Sequence, residues 1–145
     1  MVALAALVAS ACVSAPVSYA APPDHGAPAI PWIHAGAVNG YLFYYGAEGP
    51  WKRLTNRVLI ATGGGPGKGY ATKILWHVTG GASGVSITGR RLDGPGRFHQ
   101  SFSATPTGGG SYFPSIVTVP TPGCWRITVG SNGHTGRFAF VAVKP

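Results

Sequence analysis

The strongest constraint on this chain is a period-two alternation of apolar and polar side chains, repeated in short segments between glycines and prolines. Ile74, Trp76 and Val78 fall on one side of an extended segment, and Lys73, Leu75 and His77 fall on the other. Trp125, Ile127 and Val129 oppose Cys124, Arg126 and Thr128 in the same way. Successive side chains of a strand point to opposite faces, so this pattern describes antiparallel sheets with one face buried and one solvated. The 23 Gly and 13 Pro among 145 residues argue against a helical bundle, because both break helix interiors. With these two, β-rich segments lie at 41–45, 57–61, 72–78, 84–88, 97–102, 115–119, 124–129 and 137–143. About eight short strands separated by turn signals predict an all-β, two-sheet sandwich. The hydrophobic share of 45% supplies a core for one domain and excludes a disordered chain.

The N-terminus reads as an export signal. Residues 1–20 carry no charge and begin with an apolar run, Met1 to Ala9. A secretory signal opens with a basic segment, which is absent here, so the true start is expected upstream of Met1. Two processing readings follow. Ser18-Tyr19-Ala20 places small residues at −3 and −1 and leaves a chain beginning at Ala21. Ala9-Ser10-Ala11-Cys12 resembles a bacterial lipobox, in which Cys12 is lipidated and becomes the first residue. The first reading is preferred, because a lipobox usually has Leu where Ala9 stands. The expected organisation is therefore a signal peptide over 1–20, a Pro-rich linker over 21–31 and a sandwich domain over 32–145. The destination is extracytoplasmic: secreted, or membrane-anchored as a lipoprotein if Cys12 is processed. With Cys12 in the signal, Cys124 is expected to remain a single structural thiol without an internal disulfide. Its replacement by Ser should then cost little.

The segments Lys73-Ile-Leu-Trp76-His77, Val85-Ser-Ile-Thr-Gly89, Pro114-Ser115, Val119-Pro120-Thr-Pro-Gly123-Cys-Trp125-Arg126 and the closing Gly136 to Val143 carry a resemblance. Together they resemble an exported immunoglobulin-like family of Gram-positive bacteria, over roughly residues 70–145. Cys124 departs from that pattern. The resemblance implies an immunoglobulin-like antiparallel sandwich, a secreted or lipid-anchored protein and a non-catalytic role; it supplies no catalytic residues. The motif also has a physical reading. Pro120 and Pro122 cannot donate ladder hydrogen bonds and so end a strand. Gly123 permits a backbone that other residues resist, and Trp125 then enters the core, within reach of Trp76 on a facing or adjacent strand.

Candidate chemistries are few. Thr62-Gly-Gly-Gly-Pro-Gly67-Lys68-Gly69 fails the phosphate-loop pattern at Thr62 and at Gly69. Gly80-Gly-Ala-Ser83-Gly84 fails the nucleophile elbow at Val85. His25, His34, His77, His99 and His134 show no metal-ligand spacing, so no metal and no cofactor are expected. The three acids are Asp24, Glu48 and Asp93, and Asp93-Gly94 reads as a hairpin turn. A small secreted hydrolase would have to use Glu48, Asp93 or Cys124. The chain is therefore read as no enzyme.

The formal net charge of +8 is the feature most suggestive of a partner. Arg90, Arg91 and Arg97 flank the Asp93-Gly94 turn with His99 nearby, and Lys52, Arg53 and Arg57 form a second cluster. Arg90, Arg91 and Arg97 are the candidate binding residues for an anionic ligand. The partner would be an anionic envelope polymer, a polysaccharide or another envelope protein. Nucleic acid is not expected, and a membrane enters only through a lipid on Cys12. Trp32, Tyr41, Tyr44, Tyr45 and Trp51 could stack on sugars, but cover of the sandwich is the preferred role.

Overall fold

The computed structural model describes residues 12–22, 30–43, 59–61, 73–105 and 111–143. Among these residues the fold is all-β, with nine strands: β1 (Trp32–Ala35), β2 (Val38–Leu42), β3 (Leu59–Ala61), β4 (Lys73–Val78), β5 (Gly84–Arg91), β6 (Arg97–Ser103), β7 (Tyr112–Ile116), β8 (Gly123–Ser131) and β9 (His134–Val143). A four-stranded sheet runs β1-β2-β4-β7 and a five-stranded sheet runs β3-β9-β8-β5-β6. All neighbours are antiparallel except the short β3, which lies parallel to β9. Among the described residues no helix is long and apolar enough to cross a membrane.

The alternation seen in the sequence sets the core. Ile74, Trp76 and Val78 on β4 and Trp125, Ile127 and Val129 on β8 are all buried. Both Trp rings are fully inaccessible, as their register predicts. They have different aromatic partners: Trp76 meets Phe138 from the opposite sheet at 5.6 Å, and Trp125 meets Phe98 at 5.6 Å. β4 and β8 belong to different sheets, so each Trp knits its own part of the sandwich. Pro114 sits on β7, an edge strand, where a missing N–H is tolerated. Pro120 and Pro122 lie in the crossover before β8, which the Trp125 indole holds by donating to the Thr121 carbonyl at 2.9 Å.

The N-terminal segment differs from expectation. Residues 14–18 span the side of the sandwich between β9 and β1 rather than leading away from it. The Ala15 N–H donates to the Ala139 carbonyl at 2.7 Å, and the Val141 N–H donates to Ser14 Oγ at 3.0 Å. Ser18 exchanges both backbone bonds with Trp32 on β1, at 2.8 and 3.0 Å. Between those two anchors Val17 is buried in the core. The described packing thus extends N-terminal to the boundary at residue 32, back to Cys12.

The two cysteines are bonded to each other. A Cys12–Cys124 disulfide joins the N-terminal segment to the start of β8 across a separation of 112 residues. This corrects the expectation of a single Cys124 thiol. It also takes up the Cys12 sulfur that lipidation would need. Assigning Cys12 to a removed signal leaves Cys124 with no partner, whereas the segment carrying Cys12 folds against β9.

Removing a native disulfide from a small domain costs about 2–5 kcal/mol. Cys12→Ser and Cys124→Ser should each lose about that amount in denaturant unfolding. The double variant should lose no more than either single one, since both remove the same bond.

Candidate anion-binding face

The outward side of the five-stranded sheet collects arginines from four strands. β5 pairs with β6 so that Arg90 lies opposite Arg97, and with β8 so that Arg90 lies opposite Arg126. Arg97, Arg90 and Arg126 therefore form one row across three adjacent strands. At strand spacings of about 4.8 Å that row is about 10 Å long. The next row holds His99, Thr88, Thr128 and Arg137, and the one beyond it Ser101, Ser86, Gly130 and Thr135. All four arginines and His99 are exposed, and they border a shallow groove of about 620 Å³. A second depression of about 690 Å³ continues along the hydroxyl-bearing end, past Ser86, Ser101 and Thr135. Ser101 Oγ and His99 Nε2 are 3.2 Å apart on this face.

Arg91 does not join the row. It lies one residue further along the pleat from Arg90, and its Nε donates to Asp93 Oδ1 at 2.8 Å. The other Asp93 oxygen accepts the Cys124 N–H at 3.0 Å. These bonds reshape the turn that Asp93-Gly94 was expected to make. Instead of a tight two-residue hairpin, the chain loops over residues 92–96 and is closed by Arg91 N–H donating to the Gly96 carbonyl at 3.0 Å. Asp93 serves as an acceptor for β8 rather than as a positive-φ turn residue.

Gly123 makes that contact possible. Its φ of +138° lies where side chains are strained, and a Cβ there would come within 2.7 Å of both Arg91 Nε and Asp93 Oδ1. Gly123 was legible in the sequence as a conformational requirement; the contact it clears was not.

Cys124 is in the disulfide and Asp93 in the Arg91 pair, so neither is poised as a nucleophile or base. Glu48, Asp24, the segment 62–69, Lys52, Arg53 and Arg57, and Tyr44, Tyr45 and Trp51 lie outside the described residues. Tyr41 is fully buried, and half-buried Trp32 donates its indole N–H to the Ala20 carbonyl at 3.1 Å. Both act as cover or core. His77 stacks on Tyr112 with ring centroids 4.4 Å apart. Among the described residues, no group of three or more His, Cys, Asp or Glu could hold a metal.

Arg126 and Arg137 were not singled out from the sequence. The alternation of β8 already places Arg126 outward. Only the pairing of β8 with β5, which brings together residues 36 positions apart in the chain, sets it beside Arg90. The chain matches no protein-family model, no curated protein and no solved structure.

The Arg91 hydrogen bond, with that from Cys124, holds the Asp93 carboxyl below its ordinary value of 3.8. A carboxyl that titrates lower when folded stabilises the fold above its ordinary value, and this contribution is lost as pH falls through the lowered one. Asp93→Asn should lower the melting temperature at neutral pH. The gap to the native protein should close as melts are carried from about pH 6 to about pH 2.

Proposed function

We propose that this chain is an exported, non-catalytic β-sandwich of immunoglobulin-like type that binds an anionic envelope polymer through the outward face of its five-stranded sheet. The observation that carries the reading is the Arg97–Arg90–Arg126 row. Like charges directly opposite one another in a ladder destabilise a sheet by a fraction of a kcal/mol per pair. Asp93, the one acid among the described residues, is taken up by Arg91. A bound polyanion would offset the repulsion within the row.

The chemistry of the face narrows the ligand to oxyanions. Its four cations are all Arg, whose planar guanidinium matches carboxylate or phosphate with two parallel hydrogen bonds. Lys73 lies on the other sheet, over the Phe43 ring. The adjoining Ser86, Ser101, Thr88, Thr128 and Thr135 offer hydroxyls to the polar groups of a polymer repeat.

Two further features support the reading. Disulfides persist in oxidising compartments outside the cytoplasm, and the Cys12–Cys124 bond follows an uncharged apolar segment. The strand order supports the immunoglobulin-like type. β8 lies between β9 and β5 in one sheet while β4 pairs with β7 in the other, as strands F, G, C, B and E do in such domains. The disulfide departs from the usual B–F bridge of antibody domains, since β4 carries none.

The test is retention on isolated cell wall or on a soluble polyanion. Binding should fall steeply as screening shortens from about 10 Å at 0.1 M salt to about 3 Å at 1 M. Replacing Arg90, Arg97 and Arg126 together with Gln should weaken binding at least tenfold, whereas Arg91→Gln should leave it near the native level. Salt-insensitive retention, or equal retention of the triple variant, would refute the reading.

A further inference from the structure

We infer that the export signal ends at Ala11, so that the Ala11–Cys12 peptide bond is the processing site and the mature protein is an unlipidated chain beginning at disulfide-bonded Cys12. The inference rests on the export reading above and goes beyond it by fixing where the chain is cut. Cleavage after Ala20 would remove Cys12 and Ser14 together with Val17 and Ser18. That would delete the disulfide, the hydrogen bonds to Ala139 and Val141, a buried core side chain and the bridge to Trp32. A segment that closes the side of the sandwich in this way belongs to the folded product.

Ala9-Ser10-Ala11 supplies an earlier site with the required chemistry. Ala9 and Ala11 are small residues at −3 and −1 relative to Cys12, at the end of the apolar run that starts at Met1. Hydrolysis there breaks one amide bond; water supplies the hydroxyl of the new Ala11 carboxylate and the proton of the new Cys12 amine. The same position would suit a lipoprotein signal, but lipidation needs a thioether on Cys12 Sγ. That sulfur is bonded to Cys124, and one sulfur cannot carry both. Processing at Cys12 without acylation keeps every contact of the segment.

The experiment is N-terminal sequencing and intact mass of the native protein from the cell that makes it, with thiol alkylation before and after reduction. The expected result is a chain starting at Cys12, with no acyl mass and no alkylation until reduction, after which two adducts appear. An exported chain starting at Ala21, an acylated Cys12, or retention of residues upstream of Cys12 would each overturn this inference while leaving export intact. An intracellular protein with both thiols alkylated without reduction would instead sink the export reading and this inference with it. As a second arm, Ala11→Leu puts a bulky side chain at −1 and should convert most of the processed chain into precursor. Unchanged processing of that variant would count against the site.

Discussion

The rest of the structure hangs on the pleat of β8. This strand is hydrogen-bonded along Gly123–Ser131 to β9 and along Trp125–Gly130 to β5, so its residues can only alternate inward and outward. The inward set, Trp125, Ile127 and Val129, is the centre of one wall of the core. The outward set contains Arg126 and Thr128, which complete two rows of the basic face. At the strand's beginning Cys124 receives the N-terminal segment through its sulfur and binds Asp93 through its N–H. A one-residue slip would exchange these roles and bury arginine where Trp125 stands.

The N-terminal segment deals with a problem that open sandwiches share, the exposed strand edge. Ala15 pairs with β9 of one sheet, Ser18 pairs with β1 of the other, and Val17 fills the space between. So few hydrogen bonds would be weak closure by themselves. The covalent link from Cys12 to Cys124 fixes one end of the segment at the sheet it must cover, removing much of the chain entropy that opposes it.

What was legible in the sequence was whatever follows from local periodicity. The burial of Trp76 and Trp125, the strand over 73–78 and the positive φ of Gly123 all depend on residues within a few positions of each other. β1 was missed because Trp32–Ala35 is only four residues long and follows prolines that read as linker. Non-local features were not legible. The disulfide joins residues 112 apart, and a targeting reading of the first twenty residues concealed one of its ends. The expected trio of Arg90, Arg91 and Arg97 followed proximity in sequence. A pleat separates Arg90 from Arg91, whereas pairing joins Arg90 to Arg126.

A sheet that lines up three arginines gives up stability unless something outside the chain uses them. In that account the row is a functional burden on the fold, not a part of its scaffolding. Measuring the unfolding free energy of Arg126→Gln in denaturant, without any polyanion, tests this directly. Because one of the row's two like-charge contacts, that with Arg90, is removed from an exposed position, the variant should be as stable as the native protein or more stable by roughly 0.2–1 kcal/mol. A loss of more than about 1 kcal/mol would contradict the account, since it would mean that Arg126 holds the sheet together rather than straining it.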